Sequence, residues 1–196
     1  MTEDIIWREA TKADTVRMQS FTCTNQRRQR GEIPYEREVQ AFFRQRAIPE
    51  TNCSIDARLD GRLMIAEDCH GIAAAYAHRL LARHEYPPKL EDLPPDQPIR
   101  ELCFLGIALR HRGKGGAMAG EAINEALWDI LDSAPEASRI YVTGLVDYRN
   151  KASERMLIRY DFEQVSEGGP PPTKDNPDRL GRWIRILRPA DAANSN

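Results

Sequence analysis

The chain has 196 residues, of which 41% are hydrophobic and 30% charged, and a formal net charge of −2. This is the composition of a globular protein long enough to bury a real core as one domain, and it lacks the global basic field that attracts nucleic acid. No apolar run approaches the length that spans a membrane, and the start, MTEDIIWREATKAD, has neither the basic opening nor the apolar stretch of a signal peptide, so a cytoplasmic location is expected. The cysteines Cys23, Cys53, Cys69 and Cys103 stand far apart without C-x-x-C spacing, which argues for reduced thiols and against zinc or any other metal.

In chain order, Ile5 to Ala10 predicts a first strand, with Thr11 or Asp14 as a cap for the next helix. Thr15 to Gln26 has helical spacing at Val16, Met18, Phe21 and Cys23. Gln26 to Pro34 is polar and broken by Gly31 and Pro34, so it predicts a loop whose Arg27, Arg28 and Arg30 form a solvated face. Tyr35 to Ala47 places Tyr35, Val39, Phe42 and Phe43 on one stripe of an amphipathic helix. Strands come next at Cys53–Leu59, Arg62–Cys69 and Ile72–Leu81, separated by Asp60-Gly61 and His70-Gly71, which are turn signals. The small run Ala73 to Ala75 suits close packing. His78 and His84, on or after a meander strand, are expected at the surface, the alternative being that they face the acceptor. Arg83 to Arg100 holds five prolines and predicts a loop.

Glu101 to Gly120, ELCFLGIALRHRGKGGAMAG, is the stretch around which the rest is organised. Leu102 to Leu109 is a near-continuous apolar run, as in a strand covered on both faces. Arg110, His111, Arg112, Gly113, Lys114, Gly115 and Gly116 then form a basic, glycine-rich turn. Glycines allow positive φ and close approach of a ligand. Ala117 onward is helical by propensity and period, and Pro135 ends that helix. Backbone N–H groups at a helix start, beside Arg and Lys, make an anion site of the pyrophosphate kind. Arg139–Val146 predicts a buried strand, Asp147–Asn150 a turn, Lys151–Tyr160 a helix and Phe162–Ser166 a strand. Glu167–Arg182 predicts a loop, Trp183–Leu187 a last strand, and the residues beyond it a frayed tail. The order gives a mixed α/β fold, with a meander and then crossover helices.

Two segments resemble the GNAT N-acyltransferases. Arg112, Gly115 and Ala117 match the core of that family's acyl-CoA signature, which is Gln or Arg, two residues, Gly, one residue, then Gly or Ala. Asn150 to Phe162 is similar to the family's later helix, which opens on Asn after a strand and closes on Gly-Phe twelve residues on. The match is firm over 101–162 and loose before it. The resemblance implies one domain over residues 1–190, with 191–196 as a flexible tail. Its centre is a mostly antiparallel sheet of six to seven strands, splayed between the fourth and fifth. It also implies acetyl-CoA as co-substrate, with Leu105, Gly106 and Ile107 along the pantetheine arm and Arg112, Gly113, Lys114, Gly115, Gly116 and Ala117 at the pyrophosphate. Asn150 and Ser153 complete the cofactor-binding set. Gly106 fits a bulge in the strand or, alternatively, a Gly packed under a neighbour.

Acyl transfer from a thioester to an amine needs a neutral amine, a polarised carbonyl and a proton for the departing thiolate. Glu101, at the start of the fourth strand, resembles the catalytic Glu of the histone-acetylating branch and is the candidate general base. Its alternative is a strand-end carboxylate paired with Arg100 or solvent. Many members carry a Tyr in the later helix as acid. That position here is Leu157, and Tyr160, three residues on, is the substitute candidate, beside the lesser candidates Tyr148, Cys103 and His111. The Gly of Gly-Phe is Asp161 here.

The reading is an N-acetyltransferase acting by direct attack on a primary amine of a small molecule or a protein, without membrane or nucleic-acid partners and with a homodimer left open. One alternative is a non-catalytic acyl-CoA-binding module, favoured by Leu157. Another is an aminoacyl-tRNA-acetylating toxin, to which Phe21-Thr22-Cys23 ahead of an amphipathic helix is loosely similar. A P-loop is disfavoured by the spacing and the missing Ser or Thr.

Overall fold

Strand β3 (Gly71–Leu80) buries every residue from Ile72 to His78, the burial of a strand packed on both faces. The structure, a computed structural model, describes residues 5–25, 35–46, 60–113, 115–166 and 180–188. Seven strands form one sheet in the order β1-β2-β3-β4-β5-β7-β6. They are β1 (Ile6–Glu9), β2 (Arg62–Asp68), β3, β4 (Ile99–Ile107), β5 (Ile140–Asp147), β6 (Glu163–Ser166) and β7 (Leu180–Leu187). The helices are α1 (Thr15–Ser20), α2 (Tyr35–Ala41), α3 (Ala117–Asp132) and α4 (Lys151–Arg159). The β1–β2, β2–β3, β5–β7 and β6–β7 pairs are antiparallel, and β4–β5 is parallel. The β4–β5 register runs from Ile99↔Tyr141 to Leu102↔Gly144, while β4 itself continues to Ile107. This is the mixed, mostly antiparallel architecture expected from the sequence.

The chain divides into two compact units, Met1–Arg79 with Phe104–Ala126, and Leu80–Cys103 with Leu127–Asn196. In the first, Phe42 stacks on Phe104 at 4.0 Å between ring centroids, and Phe21 meets Phe43 edge to face at 5.6 Å. Met18, Cys23, Val39, Ile65 and Ala75 join them in one core cluster. A second cluster sets Met118 and Ala122 of α3 on Ala66, Ala73, Ala74 and Ile107. Alanines there let a helix approach the sheet closely, as the Ala73–Ala75 run suggested.

In the second unit Leu81, Ile99, Tyr141 and Ile184 form the core, with Tyr86, Leu90, Leu93 and Val165 against it. β5 is buried at seven of its eight positions and pairs with β7 along its whole length.

Several boundaries differ from the sequence expectation. α1 ends at Ser20 rather than Gln26, because the backbone N–H groups of Cys23 and Thr24 donate to Gln40 Oε1 instead of to a helix. The proline-rich stretch is held by apolar anchors and contains two 3-10 turns, Arg83–Glu85 and Pro88–Leu90. β4 begins at Ile99, two residues earlier than expected, since Ile99 and Arg100 already pair with β5. β7 begins at Leu180, inside the expected loop, for the same reason: its ladder with β5 starts there. His78, expected at the surface, is fully buried and stacks on Tyr76 at 6.2 Å. The expected strand Cys53–Leu59, the Arg27–Arg30 loop and the 191–196 tail lie outside the described residues.

Candidate functional site

The glycine-rich turn is built entirely in the first unit. β4 hands over at Ala108, whose N–H donates to Ala73 O at 2.8 Å, and Leu109 N–H donates to Thr22 O at 3.0 Å. A single 3-10 turn, Leu109–His111, comes next. Gly113, Gly115 and Gly116 then adopt φ of 81, 65 and 80°, the left-handed region that favours glycine. A Cβ added at Gly113 or Gly115 would meet nothing within 4 Å, so that side of the turn is open. α3 starts at Ala117 and runs for 16 residues, long enough to carry a full helix dipole. An open turn of positive-φ glycines at the head of such a helix is the geometry that receives a phosphate. Arg112 is exposed beside it, and Lys114 lies outside the described residues.

The basic residues of this turn do not act alike. Arg110 donates from Nε and Nη2 to the two carboxylate oxygens of Asp68, at 3.0 and 2.8 Å, and from Nη2 to Gly71 O at 3.0 Å. His111 Nε2 lies 2.6 Å from Asp68 Oδ2. The Asp68 side chain is completely buried. Burial pushes that carboxyl's pKa up, but the hydrogen bonds from Arg110, His111 and the His70 N–H prevail and hold it well below the usual range. Arg110 and His111 are therefore structural partners of the β2–β3 turn. Both are engaged by Asp68, while Arg112 is exposed. Sequence reasoning missed Asp68. Its signal was its place just before the Cys69-His70 turn, where an Asp side chain accepts a backbone N–H two residues on, as it does from His70 at 2.7 Å.

Gly106 buries under aromatic rings. A Cβ there would sit 3.0 Å from Phe21 Cε1 and 3.1 Å from Phe43 Cε2. Of the two sequence readings, the packed Gly is the one the structure displays.

Leu105 and Ile107 pack in the first unit with Met118 and Ala122, and the second unit holds Glu101, Cys103, Asn150, Ser153, Leu157 and Tyr160. Glu101 is half-buried in β4, and the thiol of Cys103 reaches its carbonyl at 3.4 Å and its Oε2 at 3.8 Å. Asn150 caps α4, accepting from Ser153 N–H at 3.1 Å. Leu157 is 3% exposed. Its carbonyl receives Phe162 N–H at 3.0 Å while Ile158 O receives Asp161 N–H at 3.1 Å, a Schellman closure with Asp161 at φ 56°. Thus Asp161 occupies the left-handed position where the resembling family carries Gly. Tyr160 is the C-cap of α4, and its carbonyl accepts from Arg185 at 2.9 Å. At the end of β5, buried Asp147 holds Arg149 through two side-chain bonds, and Arg149 stands over the Tyr148 ring.

These features define the fold of the GNAT acyltransferases. No family model matches the sequence, and no curated protein matches it. Solved structures do. Arabidopsis thaliana NAA60 in complex with a bisubstrate analogue aligns with a TM-score of 0.61 at 15% identity, covering 94% of this chain and 100% of that one. The same Arabidopsis protein in complex with acetyl-CoA aligns at 0.60 and 15%, covering 94% and 99%. Ribosomal-protein-S5-alanine acetyltransferase from Vibrio fischeri aligns at 0.56 and 15%, covering 97% and 96%. At such identities the likeness establishes the fold alone.

Proposed function

We propose that this protein is an N-acetyltransferase that moves an acetyl group from acetyl-CoA to a primary amine by direct attack in a ternary complex. The observation that carries the reading is the Gly113–Gly116 turn, three left-handed glycines opening onto the N-terminus of α3 directly after β4. Its neighbours in fold include a protein solved with acetyl-CoA. In this reading the backbone N–H groups of the Gly113–Ala117 turn, apart from that of Gly115, which donates to Gly113 O at 2.9 Å, and the charge of Arg112 and Lys114 hold the pyrophosphate, and the backbone of Leu105, Gly106 and Ile107 pairs with the pantetheine amides. Asn150 and Ser153, at the head of α4, belong to the same cofactor set, and residues 1–190 work as one domain.

Glu101 takes a proton from the incoming ammonium. The neutral nitrogen then attacks the thioester carbonyl, the C–N bond forms as the C–S bond breaks, and the nitrogen's second proton ends on the CoA sulfur. Tyr160 is the side chain proposed to relay that last proton. The acceptor is an amine of a small molecule or a protein. The protein alternative draws support from the Vibrio fischeri neighbour, named for an alanine of ribosomal protein S5.

A second reading, acyl-CoA binding without turnover, is favoured by one observation: Leu157, where a proton-donating Tyr is expected, is a buried apolar residue tied into the end of α4. One experiment separates the two. Thermal unfolding is followed with CoA, acetyl-CoA and ATP, and thiol release is followed across a panel of amines. A ligand at about a hundredfold over its dissociation constant stabilises the native state by roughly 2.7 kcal/mol. A shift with both CoA species and thiol release with an amine are the expected results. No shift with either CoA species overturns both readings, and a shift without thiol release selects the binding module.

A further inference from the structure

Asp68 presents a physical oddity. It is a carboxylate with no solvent exposure, and it bonds to Arg110 and His111, which stand three and two residues before Gly113. Near a loop that binds an anion, a carboxylate works against binding through its charge. Taking an ion out of water is also costly unless its bonds are good. Here they are good. Arg110 engages both oxygens, His111 Nε2 sits at 2.6 Å, and the His70 N–H donates at 2.7 Å. Arg110 also reaches Gly71 O at 3.0 Å, so the grip extends to the first residue of β3.

The 3-10 turn Leu109–His111 links the end of β4 to the glycines, and two of its three residues are held by this one side chain. The glycines themselves have little to hold them. Gly115 N–H turns inward onto Gly113 O, and a Cβ at Gly113 or Gly115 would touch nothing. Residues of such freedom keep a fixed path only if their anchor is fixed.

We infer that Asp68 is a positioning residue for the cofactor: from the β2–β3 turn it clamps Arg110 and His111 so that the glycines after them present their N–H groups to the pyrophosphate of CoA. This rests on the proposed acyl-CoA function. The clamp has a signature that neither a field effect nor plain stability shares. Loss of the Asp68 charge alone strengthens anion binding. Loss of the clamp weakens it, and only for ligands that carry the pyrophosphate.

The test compares the wild-type chain, Asp68→Asn and Arg110→Gln, with CoA and pantetheine as calorimetric titrants and the melting midpoint recorded for each protein. Asp68→Asn leaves no unpaired buried charge, whereas Arg110→Gln leaves the Asp68 carboxylate to His111 and the His70 N–H, so the melting midpoint decides which variant is read as folded. The expected result is a loss of CoA affinity on the order of tenfold in either variant, with pantetheine affinity unchanged; Asp68→Asn carries the sign test, because loss of the Arg110 charge by itself also weakens anion binding. In turnover assays the KM for acetyl-CoA rises by a similar factor while kcat at saturation holds, and Asp68→Glu recovers part of the loss. Unchanged or tighter CoA binding in a folded variant overturns the inference. Equal losses for CoA and pantetheine do so too, because they mark general loosening. Failure of the wild-type chain to bind CoA at all is the different outcome that sinks the acyl-CoA reading itself.

Discussion

Glu101 stands third in β4, half-buried, with the Cys103 thiol 3.8 Å from its carboxylate. A group that removes a proton in the rate-limiting step contributes typically about 10²–10⁴-fold. Glu101→Gln is expected to lower turnover by that order and to leave CoA affinity intact, as stopped-assay kinetics beside a CoA titration will show. Equal turnover across the pH range makes Glu101 a structural residue. Gly106 is a different case, decided by space. Any side chain there drives a methyl into the Phe21 and Phe43 rings, which are 3% and 1% exposed and have little room to retreat. Gly106→Ala is expected to cost about 1–3 kcal/mol, the range for overpacking a filled core, measured by urea unfolding. The two residues differ in legibility. Glu101 was visible by type and place. Gly106 was visible as a glycine, but its reason was hidden, because Phe21 and Phe43 reach it from far away in the sequence.

At the scale of elements, the C-terminus of α4 shows how the chain replaces an expected pair. Phe162 keeps its place as the buried apolar residue after the helix, at 4% exposure. The left-handed position before it is filled by Asp161, an exposed non-glycine at φ 56°. An L-residue there carries a steric penalty of roughly 1–2 kcal/mol, reduced for Asp by its short polar side chain and partly offset by the extra freedom of glycine in the unfolded chain. Asp161→Gly is therefore expected to raise stability by about 0.5 kcal/mol, seen as a rise in the melting midpoint. A fall means that the Asp161 side chain makes a contact worth more than the strain. The sequence read this element well, since Asn150, the helix and Phe162 were all assigned. It placed the β4 start two residues late and overran α1, because both boundaries depend on long-range partners. For β4 the partner is β5, and for α1 it is the Gln40 side chain taking two N–H groups.

For the whole molecule, Asp14 and Asp68 are buried carboxylates, among the described residues, that shape the response to acid. Arg8 holds Asp14 well below the ordinary carboxylate range through paired bonds at 2.6 and 2.7 Å, against the upward push of burial. Asp68 is held low in the same sense by Arg110 and His111, again against burial. A carboxyl whose folded pKa lies below its unfolded value, about 3.9, gives its full stabilisation above that value and loses it as pH falls toward the folded pKa. The melting midpoint is expected to hold from pH 7 to about 5 and to fall steadily below about pH 4. In Asp14→Asn that acid-side fall is expected to be shallower, with a lower midpoint at neutral pH. An equal slope assigns the acid transition to other groups. Among the described residues no helix is long and apolar enough to cross a membrane.

The sequence by itself determined the order of elements, the buried strand running into a glycine-rich turn, and the resemblance that named the fold. These are local facts, carried by apolar period, turn chemistry and the spacing of a few residues. The tertiary structure decided which basic residues near the glycines are bound by the protein's own carboxylate and which is left exposed. Arg110, His111 and Arg112 are nearly equivalent in sequence, yet Asp68, some forty residues earlier, takes the first two and leaves the third exposed. The physical reason is that a buried carboxylate must be paired, and which cations pair with it depends on a strand register that no local pattern encodes.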